Sequence, residues 1–309
     1  MDTFIGLRAH YADDHVCRFA ALLSRAVPCE FAVLMDETGG PQNEFWLPTL
    51  SITTDTLDRL GLVRDCEAPT WRCGDYSLYL ALERYPHCRY FWLIEPDVRI
   101  HFTDIGDFFS LYAGDPTDLL AAGFRIAKPS WDWHESMAWY SPTVYRCLFS
   151  AVRLSRRALT HLLSERRRIR ETRPAASRWP NDEAFVATVL ASGDFKCRDL
   201  NDAHRAVYSE RTFTYSRPIA QSDFVEREPD GQIYHPVLSG DRLFRKILRD
   251  AQYGRRDVRG ANDTIRRLTG REWDETDAAR YLAEIDAACK PESGLRAIQA
   301  RWLRWTYRE

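Results

Sequence analysis

Arg89-Tyr90-Phe91-Trp92-Leu93-Ile94-Glu95-Pro96-Asp97-Val98 is the stretch on which the reading of this 309-residue chain turns. Its first six residues are mostly large and apolar, which predicts a strand buried on both faces, as parallel strands of an α/β sheet are. Pro96 has no N–H and cannot extend a ladder in mid-sheet, so the strand should stop there and the chain should leave extended. In an extended chain residues two apart point the same way. Glu95 and Asp97 are therefore expected to converge beyond the strand's carboxyl edge, where open α/β sheets bind ligands. Two carboxylates at such a place suit a hard divalent cation carrying a phosphorylated ligand. Taken alone, an acidic pair after a strand is more often a solvated turn or a helix cap.

The aromatic strand followed by Glu95-Pro96-Asp97-Val98 resembles the acidic metal-binding signature of GT-A-type glycosyltransferases. The likeness extends to fungal α-mannosyltransferases and to uncharacterised bacterial proteins with a Glu-x-Asp-Val-Arg version. It covers residues 3 to 240 loosely, with a specific match only at 89 to 98, and Glu95 stands where the usual signature has Asp. The resemblance implies an α/β, GT-A-like fold, a mixed, mostly parallel sheet flanked by helices. It also implies Mn2+ or Mg2+ on the diphosphate of a UDP- or GDP-sugar donor, and a saccharide or glycoconjugate acceptor.

Outward from the motif, Thr3 to Arg8 predicts a first strand, Asp13 to Ala26 a helix, and Glu30 to Met35 a second strand. Such a β-α-β opening is what a nucleotide-binding half needs. The second strand runs into Asp36-Glu37-Thr38-Gly39-Gly40. The resemblance makes His10, Asp36 and Glu37 candidate base or ribose contacts, against the competing reading of a polar loop with a cap. Residues 38 to 58 look irregular, with a short edge strand at 51 to 54. Trp71 to Leu82 leads into a helix ending near Arg84, whose Asp75 is either a donor contact or an N-cap.

Beyond the motif, Asp118 to Phe124 predicts another strand. Trp131, Trp133 and Trp139 then fall within nine residues, a loop too aromatic to be left bare in water. It packs under a lid or forms a ligand platform, in which Trp133, His134 and Trp139 would face the acceptor. Val144 to Arg153 reads as a strand and Ser155 as the cap of a helix to about Arg170. Arg166, Arg167, Arg168 and Arg170 in its last turn read as a solvated end that complements the helix dipole. Asn181 or Asp182 caps a helix running to about Ser192. The resemblance makes Asp182 or Glu183 the base that takes the acceptor's proton in an inverting reaction; capping is the rival role.

His235, in Ile233-Tyr234-His235-Pro236-Val237, resembles the third metal ligand of several GT-A enzymes, although a lone His is more often a plain surface or core residue. From Asp241 the chain reads as charged, amphipathic helices with stripes such as Leu243, Phe244, Ile247 and Leu248. Hence the expected division is a catalytic domain over 1–240 and a helical appendage over 241–309, with Arg245 and Lys246 placed to meet donor phosphate.

Composition is consistent with this and narrows it. Net charge is −2, from 43 basic and 45 acidic residues, so no overall field recommends nucleic acid as a partner. The eight cysteines form no Cys-x-x-Cys pair, which argues against structural zinc and a disulfide framework and fits a reducing compartment. No run approaches the ~20 apolar residues of a membrane span, and residues 1 to 10 hold no signal-peptide pattern, so a cytoplasmic protein is expected. Two other classes compete with transfer. A metal-dependent phosphoesterase or nucleotide-sugar hydrolase normally clusters more His and Asp than the eight scattered His here supply. A non-catalytic scaffold would use the same acids as caps.

Overall fold

The computed structural model describes residues 2–42, 46–63, 69–253 and 257–289. Of these, the residues up to Phe213 with Pro229–Ile233 form one compact unit, and Thr214–Glu228 with those from Tyr234 onward form a second. The expected break at 240 falls inside the second unit, and residues 290–309 of the expected appendage lie outside the described residues.

The first unit carries strands β1 (Thr3–Ala9), β2 (Glu30–Asp36), β3 (Thr49–Ile52), β4 (Tyr90–Ile94), β5 (Arg99–His101), β6 (Leu119–Ile126), β7 (Tyr145–Ser155) and β8 (Cys197–Asp199). Its helices are α1 (Asp14–Leu23), α2 (Thr54–Leu60), α3 (Pro69–Arg72), α4 (Asp75–Arg84), α5 (Ile105–Ser110), α6 (His134–Ala138), α7 (Arg156–Thr172), α8 (Asp182–Ala191) and α9 (Leu200–Ala203). Seven strands make one sheet in the order β3-β2-β1-β4-β7-β6-β8. Pairing is parallel from β3 through β4 and again between β6 and β8, while β7 runs antiparallel to both its neighbours. This is a mixed and mostly parallel sheet flanked by helices, the α/β class expected from the sequence.

All five residues of β4 are buried. Alternate side chains of a strand leave opposite faces, and here they enter two different cores. Phe91 and Leu93 join α2, α4, α7 and α8 on one face, whereas Trp92 and Ile94 join α1, α5 and α9 on the other. The Trp92 ring lies 5.5 Å from each of the rings of Phe108, Phe109 and Tyr112. Burying each such side chain contributes about 1.5–3 kcal/mol, which explains why the most apolar strand takes the centre of the sheet.

Two expectations at the helix ends are corrected. Gly74, not Asp75, stands at the N-cap of α4, and Asp75 is fully buried. Its oxygens accept from Arg166 Nε at 2.8 Å, Arg166 Nη2 at 2.9 Å and the Tyr79 hydroxyl at 2.6 Å. Nor is Arg166 part of a solvated helix end; it too is buried, 3.7 Å from the centre of the Phe185 ring. A buried charge must be paired and hydrogen-bonded, so these two side chains serve each other and Asp75 is withdrawn as a donor contact.

The chain passes from the first unit to the second along β10 (Gln232–Tyr234). The second unit pairs β9 (Ile219–Ala220) with β11 (Val237–Leu238) and packs α10 (Gly240–Gln252), α11 (Val258–Leu268) and α12 (Glu275–Ala288). The apolar stripes supply its core, with Leu243, Phe244, Ile247, Ile265, Tyr281 and Ile285 buried and the Phe244 and Tyr281 rings stacked 3.8 Å apart. Among the described residues, no helix is long and apolar enough to cross a membrane.

Candidate functional site

β4 ends at Ile94, and the Glu95 N–H donates to the Ser150 carbonyl of β7 at 2.9 Å. Val98 N–H then donates back to the Glu95 carbonyl at 3.1 Å, closing Glu95-Pro96-Asp97-Val98 into a turn. The extended exit expected from Pro96 is thus corrected: its fixed φ and missing N–H fit the second position of a tight turn as well as they fit an extended chain. A ring nitrogen of His15, on α1, lies 3.1 Å from the Pro96 carbonyl. The two carboxylates are therefore placed by a turn at the sheet's carboxyl edge.

Beside them stands a residue that the sequence reading passed over. Arg8, near the end of β1, donates through Nη2 to Glu95 Oε1, and its Nη1 lies 3.5 Å from Asp182 Oδ2. Burial alone would lower the proton affinity of this guanidinium. The fields of Glu95, Asp182, Asp97 and Asp36 outweigh burial and raise it, so Arg8 stays charged. Four carboxylates thus act on one arginine, and a pair of opposite charges at 4 Å is worth about 4 kcal/mol where the effective dielectric is 20. A cluster of carboxylates gathered at one point is the kind of donor set that a hard cation takes.

Asp182 opens α8, after Asn181 has capped the helix by accepting from Ala184 N–H at 3.0 Å. Asp182 Oδ2 accepts from Gly74 N–H at 2.8 Å and Oδ1 from Glu183 N–H at 2.7 Å. Burial pushes its carboxyl well above the usual carboxylate range, and Arg8 opposes that push. Glu183, beside it, is half-buried.

A cavity of about 330 Å³ opens at the carboxyl ends of β1 and β2; Arg8, His10, Asp36, Thr70, Trp71 and Tyr76 are among its lining. Of the expected donor contacts, His10 and Asp36 are in its wall. His10 is exposed and meets Tyr11 edge-on at 4.6 Å. Asp36 accepts from Thr38 N–H at 3.0 Å, from the Thr38 hydroxyl at 2.7 Å and from the Thr70 hydroxyl. Glu37 accepts from Gln42 N–H at 3.1 Å, a loop contact. Thr70 and Trp71, both on α3, were not singled out from the sequence as site residues, and the one available signal was an aromatic residue just ahead of the helix expected to end near Arg84.

The remaining expectations fare differently. Lys246 belongs to the second unit, where its ammonium pairs along α10 with Asp250 Oδ1 at 3.0 Å. In the tryptophan loop, Trp131, Trp133 and Trp139 are half-buried against the first core, so packing accounts for them. Arg178 lies over the Trp133 ring at 3.6 Å, and the Trp139 indole N–H donates to the Ser136 carbonyl at 2.9 Å. Trp133 and Trp139 thus have packing contacts, one of the two roles expected of the loop. His134 begins α6 and is half-buried. His235 is buried in the second unit, two residues after Ile233, and its carbonyl accepts from Thr214 N–H at 2.9 Å.

No protein-family model matches the sequence, and no curated protein matches it. Solved structures similar to it include a glycosyltransferase involved in the glycosylation of the major capsid of PBCV-1, at 12% identity and TM-score 0.39, over 76% of this chain and 91% of that one. A 4-diphosphocytidyl-2C-methyl-D-erythritol synthase from Anaerococcus prevotii is similar at 10% identity and TM-score 0.37, over 64% and 87%. Likenesses this distant leave the chemistry to be argued from the site itself.

Proposed function

We propose that this chain is a metal-dependent glycosyltransferase that moves a sugar from a nucleotide-sugar donor to a hydroxyl of a saccharide or glycoconjugate acceptor. The observation that carries the reading is that one residue, Arg8, both lines the sheet-edge cavity and pairs with the acidic motif through Glu95. A ligand-sized hollow and a cluster of carboxylates thus meet at the carboxyl edge of the sheet, where open α/β sheets bind ligands. Glu95 and Asp97 are the residues of the first unit that would hold Mn2+ or Mg2+, and the resemblance makes His235 a third ligand. Such an ion supplies Lewis-acid neutralisation of a diphosphate leaving group. His10 and Asp36 would hold the nucleoside, with the Trp71 ring offering a face to the base. Asp182 or Glu183, at the start of α8, would take the acceptor's proton, the role that the resemblance gives an acidic pair at this point.

The test is thermal stabilisation by UDP- and GDP-sugars with and without Mn2+, followed by mass spectrometry of products. Metal-dependent stabilisation by one donor is expected. Asp97→Ala should abolish it and all sugar transfer while leaving the melting temperature of the free protein unchanged. Indifference to every donor favours a scaffold, and release of free sugar without transfer favours a hydrolase.

A further inference from the structure

We propose that Arg8 is the resident counter-charge of the carboxylate cluster, and that a divalent cation binds Glu95 and Asp97 in competition with its guanidinium. This rests on the metal reading above. Arg8 is rooted in the sheet interior, its backbone in register with Leu34 of β2, so only the end of the side chain is free to turn. That end is confined. A Cβ at residue 74 would overlap Nη1 and lie 2.8 Å from Asp182 Oδ2, so the guanidinium occupies a slot that exists because residue 74 is glycine. Within the slot Nη2 is committed to Glu95, while Nη1 is buried with no hydrogen-bond partner among the described residues. An arginine held this way neutralises part of the acidic cluster without satisfying all its own donors. A cation that takes Glu95 therefore competes with one that is already there, because two positive charges on one carboxylate repel each other. Arg8 sets how tightly the acidic turn holds metal, without itself being a ligand.

The test is a Mn2+ titration of the whole chain followed by electron paramagnetic resonance, comparing the native protein with Arg8→Gln and Arg8→Lys. Removing the charge should tighten Mn2+ binding by about tenfold, and keeping it as Lys should leave the Kd within about twofold. Native-like Mn2+ binding together with equal or weaker binding by a folded Arg8→Gln overturns this inference and leaves the metal reading standing. No Mn2+ binding by the native protein overturns both. A measurement on the native protein avoids any folding defect of the variant: 15N-detected exchange of the Arg8 guanidinium protons should quicken when Mg2+ is added. Exchange that stays constant while Mg2+ demonstrably binds overturns the competition.

Discussion

Gly74 has less room than any side chain larger than hydrogen needs, because Arg8 Nη1 and Asp182 Oδ2 crowd the place a Cβ would take. Gly74→Ala should swing the guanidinium away from Glu95 and cost about 1–3 kcal/mol of stability, the usual range for overpacking. Transfer should fall at least about tenfold, since a group moved by an ångström at a reacting centre loses that much or more; donor kinetics and a denaturant melt check both. A second consequence is in the thiols. Burial pushes Cys29 up to about 11, its neighbour Cys88 adding to the effect, and burial together with Glu30 pushes Cys88 up to about 11. Both folded values are raised above the ordinary thiol value of about 8.5. Their contribution to stability is therefore complete below that value and is lost as pH rises through about 11. Urea midpoints should drop between pH 8 and pH 11, and the drop should be shallower in a Cys29→Ala/Cys88→Ala variant.

Helix ends place the acids of the site. Asn181 caps α8 and so sets the direction in which Asp182 and Glu183 leave the first turn. Asn181→Ala should cost about 1 kcal/mol through the lost cap. It should also lower turnover more than it weakens donor binding, because what moves is the proposed base; separate kcat and KM values show whether it does. α4 and α7 are tied by the Asp75–Arg166 pair across a sequence separation of 91 residues. Arg166→Ala leaves a buried carboxylate with its charge uncompensated, and breaking such a pair costs about 3–5 kcal/mol. Joint replacement of both residues by apolar ones should cost far less than the sum of the single changes, which a double-mutant cycle measures.

Each of the two units has a core of its own, and the apolar residues of the second gather on α10, α11 and α12. Phe244→Ala removes the ring stacked on Tyr281 and should destabilise that unit by about 3–5 kcal/mol. Amide hydrogen exchange in α10 and α12 should quicken accordingly. Much of this architecture was legible before folding was considered. The apolar run at 90–94, the β-α-β opening, the cap at Ser155, the cap at Asn181 or Asp182 and the stripe at 243–247 are local patterns, and local periodicity is enough to say which face is buried. Even the turn at Pro96 was half legible: the stop was foreseen, while the choice between an extended exit and a tight turn came from the hydrogen bond between Val98 and Glu95. Charge was a different matter. Arg8 looked like the polar end of a strand and Asp75 like a cap, and nothing near them in the chain named Glu95, Asp182 or Arg166 as their partners. Apolar burial is non-directional and repeats with the period of the element. The pairing of a buried charge depends on which distant side chain folding brings within a few ångströms, and only the assembled sheet decides that.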